Sequence, residues 1–68
     1  MMTMTHKRGD KVSGASLRRE RERRKLTQGQ AANLVGVSIR SWNGFENDSG
    51  HPSRQTAILL RLFLERKL

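Results

Sequence analysis

Sixty-eight residues with a formal net charge of +8 hold one domain at most, and a balance this basic favours a polyanionic partner. With no cysteine there is neither a disulfide framework nor a thiolate metal site, and the two histidines, His6 and His51, are too few and too separated to hold a metal. No apolar run approaches the roughly 18 residues of a membrane span, and no paired-carboxylate, nucleophile–base or phosphate-cradling pattern suggests an enzyme. The expectation is a cytoplasmic protein that needs no cofactor, metal or small-molecule ligand and does not engage a membrane.

Residues 1–12, MMTMTHKRGDKV, show no period and read as a flexible basic N-terminal arm ahead of a domain over 13–68. Lys7, Arg8 and Lys11 of this arm are candidates for DNA phosphates or a minor groove, and equally for a solvated tail. Ser13 is suited to cap a first helix from Gly14 to about Lys25. Inside it lie eight consecutive charged residues, Arg18 to Lys25. Opposite-sign pairs at helical spacing, Arg18–Glu22, Glu20–Arg24 and Arg19–Glu22, add only about 0.2–0.5 kcal/mol each. They permit a helix without building a core, so Leu17 and Leu26 must anchor it.

Thr27-Gln28-Gly29-Gln30 has the form of a capping box and opens a second helix to about Val35, followed by Gly36 as a left-handed stop. Ser38 is the next cap, ahead of IRSWNGFEN, in which Trp42 and Phe45 share the core side. Asn47 to His51 read as a loop. Pro52 fits the first position of a last helix reaching about Lys67. No stretch alternates like a strand. The fold class is therefore all-α, four short helices with room for a fifth short turn. The capped helix, tight glycine-containing turn and second capped helix over Thr27–Glu46 imply a steep crossing of about 90–120°, with Ala31 and Ala32 small enough to allow close approach.

LTQGQAANLVGVSIRSWNGFE resembles the Xre/Cro-like helix-turn-helix regulators, relatives of the lambda-type phage repressors, and the likeness extends from SGASLRRERE through PSRQTAILLRL. Among these it looks especially like small phage-borne autoregulators, including those associated with anti-CRISPR genes. The resemblance implies a lambda-repressor-like domain in which an arginine of helix 1 pairs with the glutamate ending the recognition helix. Arg21 and Glu46 occupy those positions, so Arg21 is expected to point inward while its neighbours stay solvated. Two residues depart from the pattern. Glu20 stands where a large apolar residue is usual, which leaves helix 1 poorly anchored. Gly44 stands where a longer polar side chain is common, either admitting a base or sugar to the backbone or letting the helix fray.

A recognition helix offers its N-terminal residues to base edges of the major groove. With Trp42 and Phe45 inward, the candidates for base contacts are Ile39, Arg40, Asn43 and Gly44. Arg40 is suited to guanine O6 and N7, and Asn43 to adenine or a phosphate. Ile39 is long enough for a thymine methyl and equally suited to partial burial. The resemblance gives Gln28 a phosphate contact; Ser38 and Ser41 are further phosphate candidates or plain helix caps.

AILLRLFLERKL is too apolar for a simple surface helix. Ile58, Leu59, Leu62 and Phe63 are expected to close the core, leaving Ala57, Leu60, Leu64 and Leu68 as a second stripe for a dimer interface. A two-fold homodimer would set two recognition helices about 34–36 Å apart on a pseudo-palindromic operator in double-stranded DNA. The expected function is a sequence-specific transcriptional repressor that occludes a promoter, its own operon's by family habit. The alternative is a protein-interaction or antitoxin-type module on the same fold. Non-specific coating of nucleic acid is disfavoured by only three aromatic side chains.

Overall fold

The computed structural model describes residues 12–68, which form four helices and no strand: α1 (Gly14–Arg23), α2 (Gln28–Val35), α3 (Ile39–Glu46) and α4 (Arg54–Leu64). Each helix begins at a hydroxyl cap. Ser13, Thr27, Ser38 and Ser53 accept from the backbone N–H groups of Ser16, Gln30, Ser41 and Thr56. At α2 the box is reciprocal, with the Gln30 Oε1 accepting from the Thr27 N–H at 2.8 Å. Such caps satisfy donors the helix itself leaves unpaired. Pro52 is accordingly not the first residue of α4. The Ser53 hydroxyl takes the cap and proline sits just outside it.

The helix ends depart further from expectation. Gly36, at φ 90°, closes α2 as its sequence suggests. Three other left-handed residues, Lys25, Asp48 and Arg66, are not glycine. Lys25 lets Leu26 N–H return to the Arg21 carbonyl at 3.0 Å, so α1 stops at Arg23 rather than Lys25. Arg66 does the same for α4, where Lys67 N–H meets the Leu62 carbonyl at 2.8 Å.

The core is Leu17, Ala31, Ala32, Val35, Trp42, Leu60 and Phe63. Trp42 and Phe63 meet edge-to-face, with centroids 5.3 Å apart. α3 packs on α2 and α1, and α4 closes over α1 and α2. Among the described glycines Gly14 marks the tightest approach. A Cβ there would lie 2.1 Å from the Glu46 carbonyl oxygen, so the start of α1 rests directly on the end of α3. Its N–H donates to the Asp48 Oδ1 at 2.9 Å.

The orientation of α4 corrects the expected stripes. Leu60 is 0% exposed and belongs to the core, whereas Ile58 is 54% exposed. Leu64 packs against the core, Ala57 and Leu62 are half-buried, and Leu68 is exposed. Phe63 decides this, because Trp42 and the Arg24 guanidinium, 4.3 Å over its ring, hold it inward. Leu60, three residues earlier, turns in with it. Ile58 lies about 200° round the helix from Leu60 and must face out.

The charge run of α1 is resolved by the same geometry. Arg18, Arg19, Glu22, Arg23 and Lys25 are exposed, while Glu20 is buried and Arg21 and Arg24 are half-buried. Glu20 does not leave the helix loose. It accepts from Arg23 and Arg24 at 2.8 Å each, and Arg66 lies 3.5 Å away. Arg24 continues to the carbonyls of Phe63 at 2.7 Å and Leu68 at 3.0 Å. A buried carboxylate is tolerable only when paired and hydrogen-bonded in this way. Of the anticipated pairs on α1, Glu20–Arg24 forms; Glu22 instead lies 3.9 Å from Arg21. Among the described residues no helix is long and apolar enough to cross a membrane.

Candidate nucleic-acid interface

The interface is built on one buried carboxylate. Glu46, at the end of α3, has its side chain 1% exposed. Its Oε2 accepts from Arg21 Nε and Trp42 Nε1, both at 2.5 Å. Its Oε1 accepts from Arg21 Nη2 at 3.3 Å and Gln28 Nε2 at 3.2 Å. Four donors fill the four lone-pair directions a carboxylate offers. Burial by itself would raise the Glu46 pKa, but the bonds from Arg21, Trp42 and Gln28 outweigh it and hold the carboxyl below its ordinary value. The Glu46 bond in turn raises Arg21. Arg21 also donates to the Leu26 carbonyl at 3.0 Å, tying α1, the α1–α2 connection and α3 together.

The cluster fixes how α3 stands beside α2. Gln28, at the start of α2, is held by Glu46 and accepts from Asn43 Nδ2 at 3.3 Å. Asn43 accepts from Asn47 Nδ2 at 3.0 Å. Gln28, Asn43 and Asn47 therefore form a polar row across the α2–α3 pair. Arg40 is exposed, and none of the ion pairs among the described residues engages it. Ile39 is 56% exposed beside Gly29, whose Cβ position lies 3.6 Å from Ile39 Cδ1. Of the two placements open to Ile39, the exposed one is found.

The other candidates fall out differently. The Ser38 hydroxyl accepts from Ser41 N–H at 3.0 Å and donates to Ser41 Oγ at 3.1 Å, so Ser38 caps α3 and Ser41 holds the cap hydroxyl, both remaining exposed. Gly44 is turned to the α3–α4 loop. Its carbonyl accepts from Ser49 N–H at 2.9 Å and Gly50 N–H at 3.1 Å, so it presents no free backbone acceptor. Lys7, Arg8 and Lys11 lie outside the described residues. By composition Asn47 belongs to the loop that follows α3. Its place one turn beyond Asn43 on the same face is the spacing that identifies it as a partner.

An all-α domain whose second and third helices are joined by a tight glycine turn, with exposed polar residues leading the third helix, is a helix-turn-helix module. Residues 14–63 match the helix-turn-helix domain family, and the chain belongs to it. It stands with the DNA-binding regulators of that class. No curated protein and no solved structure matches the chain.

Proposed function

We propose that this protein is a sequence-specific transcriptional repressor that binds an inverted repeat in double-stranded DNA as a homodimer and blocks a promoter, its own included. The observation that carries the reading is Arg40, exposed on the first turn of a helix whose tilt is held by the saturated Glu46 cluster. Its planar fork is suited to the two acceptors of guanine. Ile39 and Asn43 flank it for further base contacts, and Gln28, Ser38 and Ser41 lie at helix starts suited to phosphates. Likeness to small phage-borne autoregulators supports the autoregulatory part. Self-association rests on α4, where folding leaves Ile58 uncovered with the half-buried Leu62 one turn on.

The test is selection of bound duplexes from a random pool at two salt concentrations. Enrichment of an inverted repeat supports the proposal. An enriched single half-site removes the dimer. No enriched sequence, with binding that falls steeply as salt rises, replaces specific repression by non-specific coating.

A further inference from the structure

Gly14, Arg18 and Arg21 fall at i, i+4 and i+7 on α1 and so share one face. That face lies on the end of α3. Gly14 meets the Glu46 carbonyl, Arg21 Nε bonds the Glu46 carboxylate, and Arg18 Nε stands 3.8 Å from Glu46 Oε1. The two arginines differ in what holds them. The Arg21 side chain is 14% exposed and bonded, whereas that of Arg18 is 60% exposed. None of the hydrogen bonds donated by arginine among the described residues comes from Arg18. The reason is that Arg21, Trp42 and Gln28 already fill the acceptor directions of Glu46. Glu22, one turn beyond Arg18, lies near Arg21 instead. Arg21 balances the Glu46 charge, so Arg18 is an excess cation drawn to the interface by charge alone, with its N–H donors free.

We infer that Arg18 and Gln28 together bind one DNA phosphate, a contact that brings α1 into the nucleic-acid interface. The inference rests on the DNA-binding reading above. Arg18 Nε and Gln28 Nε2 approach the same Glu46 oxygen, at 3.8 and 3.2 Å, and therefore lie within about 7 Å of each other. A phosphate accepts charge-assisted bonds at about 2.7–2.9 Å and does so through separate oxygens, so one oxygen can face each residue. Gln28 Nε2 gives one hydrogen to the carboxylate and keeps a second, and Arg18 keeps all five of its own. The buried carboxylate thus sets the spacing of two donors whose remaining hydrogens are available to an anion. Such a contact strengthens binding to every duplex alike and selects no base.

The experiment measures duplex binding against salt for the wild-type chain, Arg18→Ala and Arg19→Ala, with thermal unfolding of each. Arg19 is exposed, carries the same charge and lies about 100° round α1 from Arg18. One phosphate contact steepens the fall of log K with log salt by about 0.9 for each chain bound. Between about 50 and 200 mM salt, wild-type affinity should therefore fall roughly threefold more per chain than that of Arg18→Ala. Arg19→Ala should keep the wild-type slope. Arg18→Ala should melt within a few degrees of the wild type, because Glu46 keeps its four bonds. Equal slopes for Arg18→Ala and the wild type, or an equal loss of slope in Arg19→Ala, overturn the inference. So does a large fall in Tm for Arg18→Ala, which makes Arg18 a structural partner of Glu46. A second measurement asks whether the phosphate is shared. Methylphosphonate is placed at one phosphate at a time in a duplex enriched by the selection above. The position at which it weakens the wild type should lose that effect in both Arg18→Ala and Gln28→Ala, and two different positions overturn the pairing. If the wild type binds no duplex at any salt concentration, it is the DNA-binding reading that fails, and this contact falls with it.

Discussion

Replacing Gly14 with alanine tests the close contact between the start of α1 and the end of α3. The added Cβ would stand 2.1 Å from the Glu46 carbonyl oxygen, 2.6 Å from its carbonyl carbon and 2.8 Å from the Phe45 carbonyl oxygen. All three are backbone atoms and cannot rotate aside. Non-bonded heavy atoms rest about 3.5–4.0 Å apart, so α1 must lift from α3 by roughly 1 Å or more. Overpacking of this kind costs about 1–3 kcal/mol. The movement also strains the Gly14–Asp48 hydrogen bond, worth about 1 kcal/mol. Against this stands the better helix propensity of alanine, at most about 1 kcal/mol. The net expectation is a loss of about 2–3 kcal/mol. In a domain of this size that lowers Tm by about 10–20 °C. Gly29→Ala is the control. Its Cβ meets nothing closer than 3.6 Å, so propensity alone should leave Tm unchanged or raised. Thermal unfolding followed by circular dichroism reads both. If Gly14→Ala melts with the wild type, the helices are not in the contact described and the Glu46 cluster is not held by it.

Arg21→Ala strands a buried carboxylate and should cost about 3–5 kcal/mol, while the exposed Arg19→Ala leaves urea midpoints nearly unchanged; equal midpoints for the two refute the inward assignment. The Glu20 carboxyl is lowered from 4.5 to about 2, first by its bond to Arg23, against burial, and then by Arg24. A lowered folded-state value means that its stabilisation is present above pH 4.5 and fades as pH falls toward 2, so Glu20→Gln should flatten the acid limb of the stability profile in that window. Leu60→Ala should destabilise by about 2–5 kcal/mol without bearing on self-association, whereas Ile58→Glu should fold normally and sediment as a monomer; the opposite pattern would restore the stripe through Leu60. Arg40→Ala should weaken operator binding by about 1–3 kcal/mol through one base pair, and a uniform loss across all duplexes would make Arg40 a phosphate contact.

Three helix starts are legible in the chain because a hydroxyl cap is a local matter: Ser13, Thr27 and Ser38 bond to N–H groups three residues on, and no distant contact is needed; the fourth is read at Pro52 but lies behind the Ser53 cap. The second of these, with Gly36 behind it, marks the helix-turn-helix by local signals alone. Two of the helix stops are not legible, since lysine and arginine carry no local signal for the left-handed turn that Lys25 and Arg66 adopt; the end of α3 at Glu46 is legible, because Asn47 to His51 read as a loop. Which charges face inward was half legible. The resemblance implies the Arg21–Glu46 pair, but no local pattern shows that Arg23, Arg24 and Arg66 converge on Glu20 from two ends of the chain.

The chain alone therefore determined where the first three helices begin, the tight turn between the second and third, and the excess of positive charge, because each depends on neighbours or on composition. Tertiary structure decided the rotation of α4 that buries Leu60 and exposes Ile58, the contact that demands Gly14, and the row of amides that ends at Asn47. These depend on how one helix lies against another. An apolar periodicity shifted by a single residue is equally good sequence but turns a helix through about 100°, and only packing against Trp42 and Arg24 chooses between the settings.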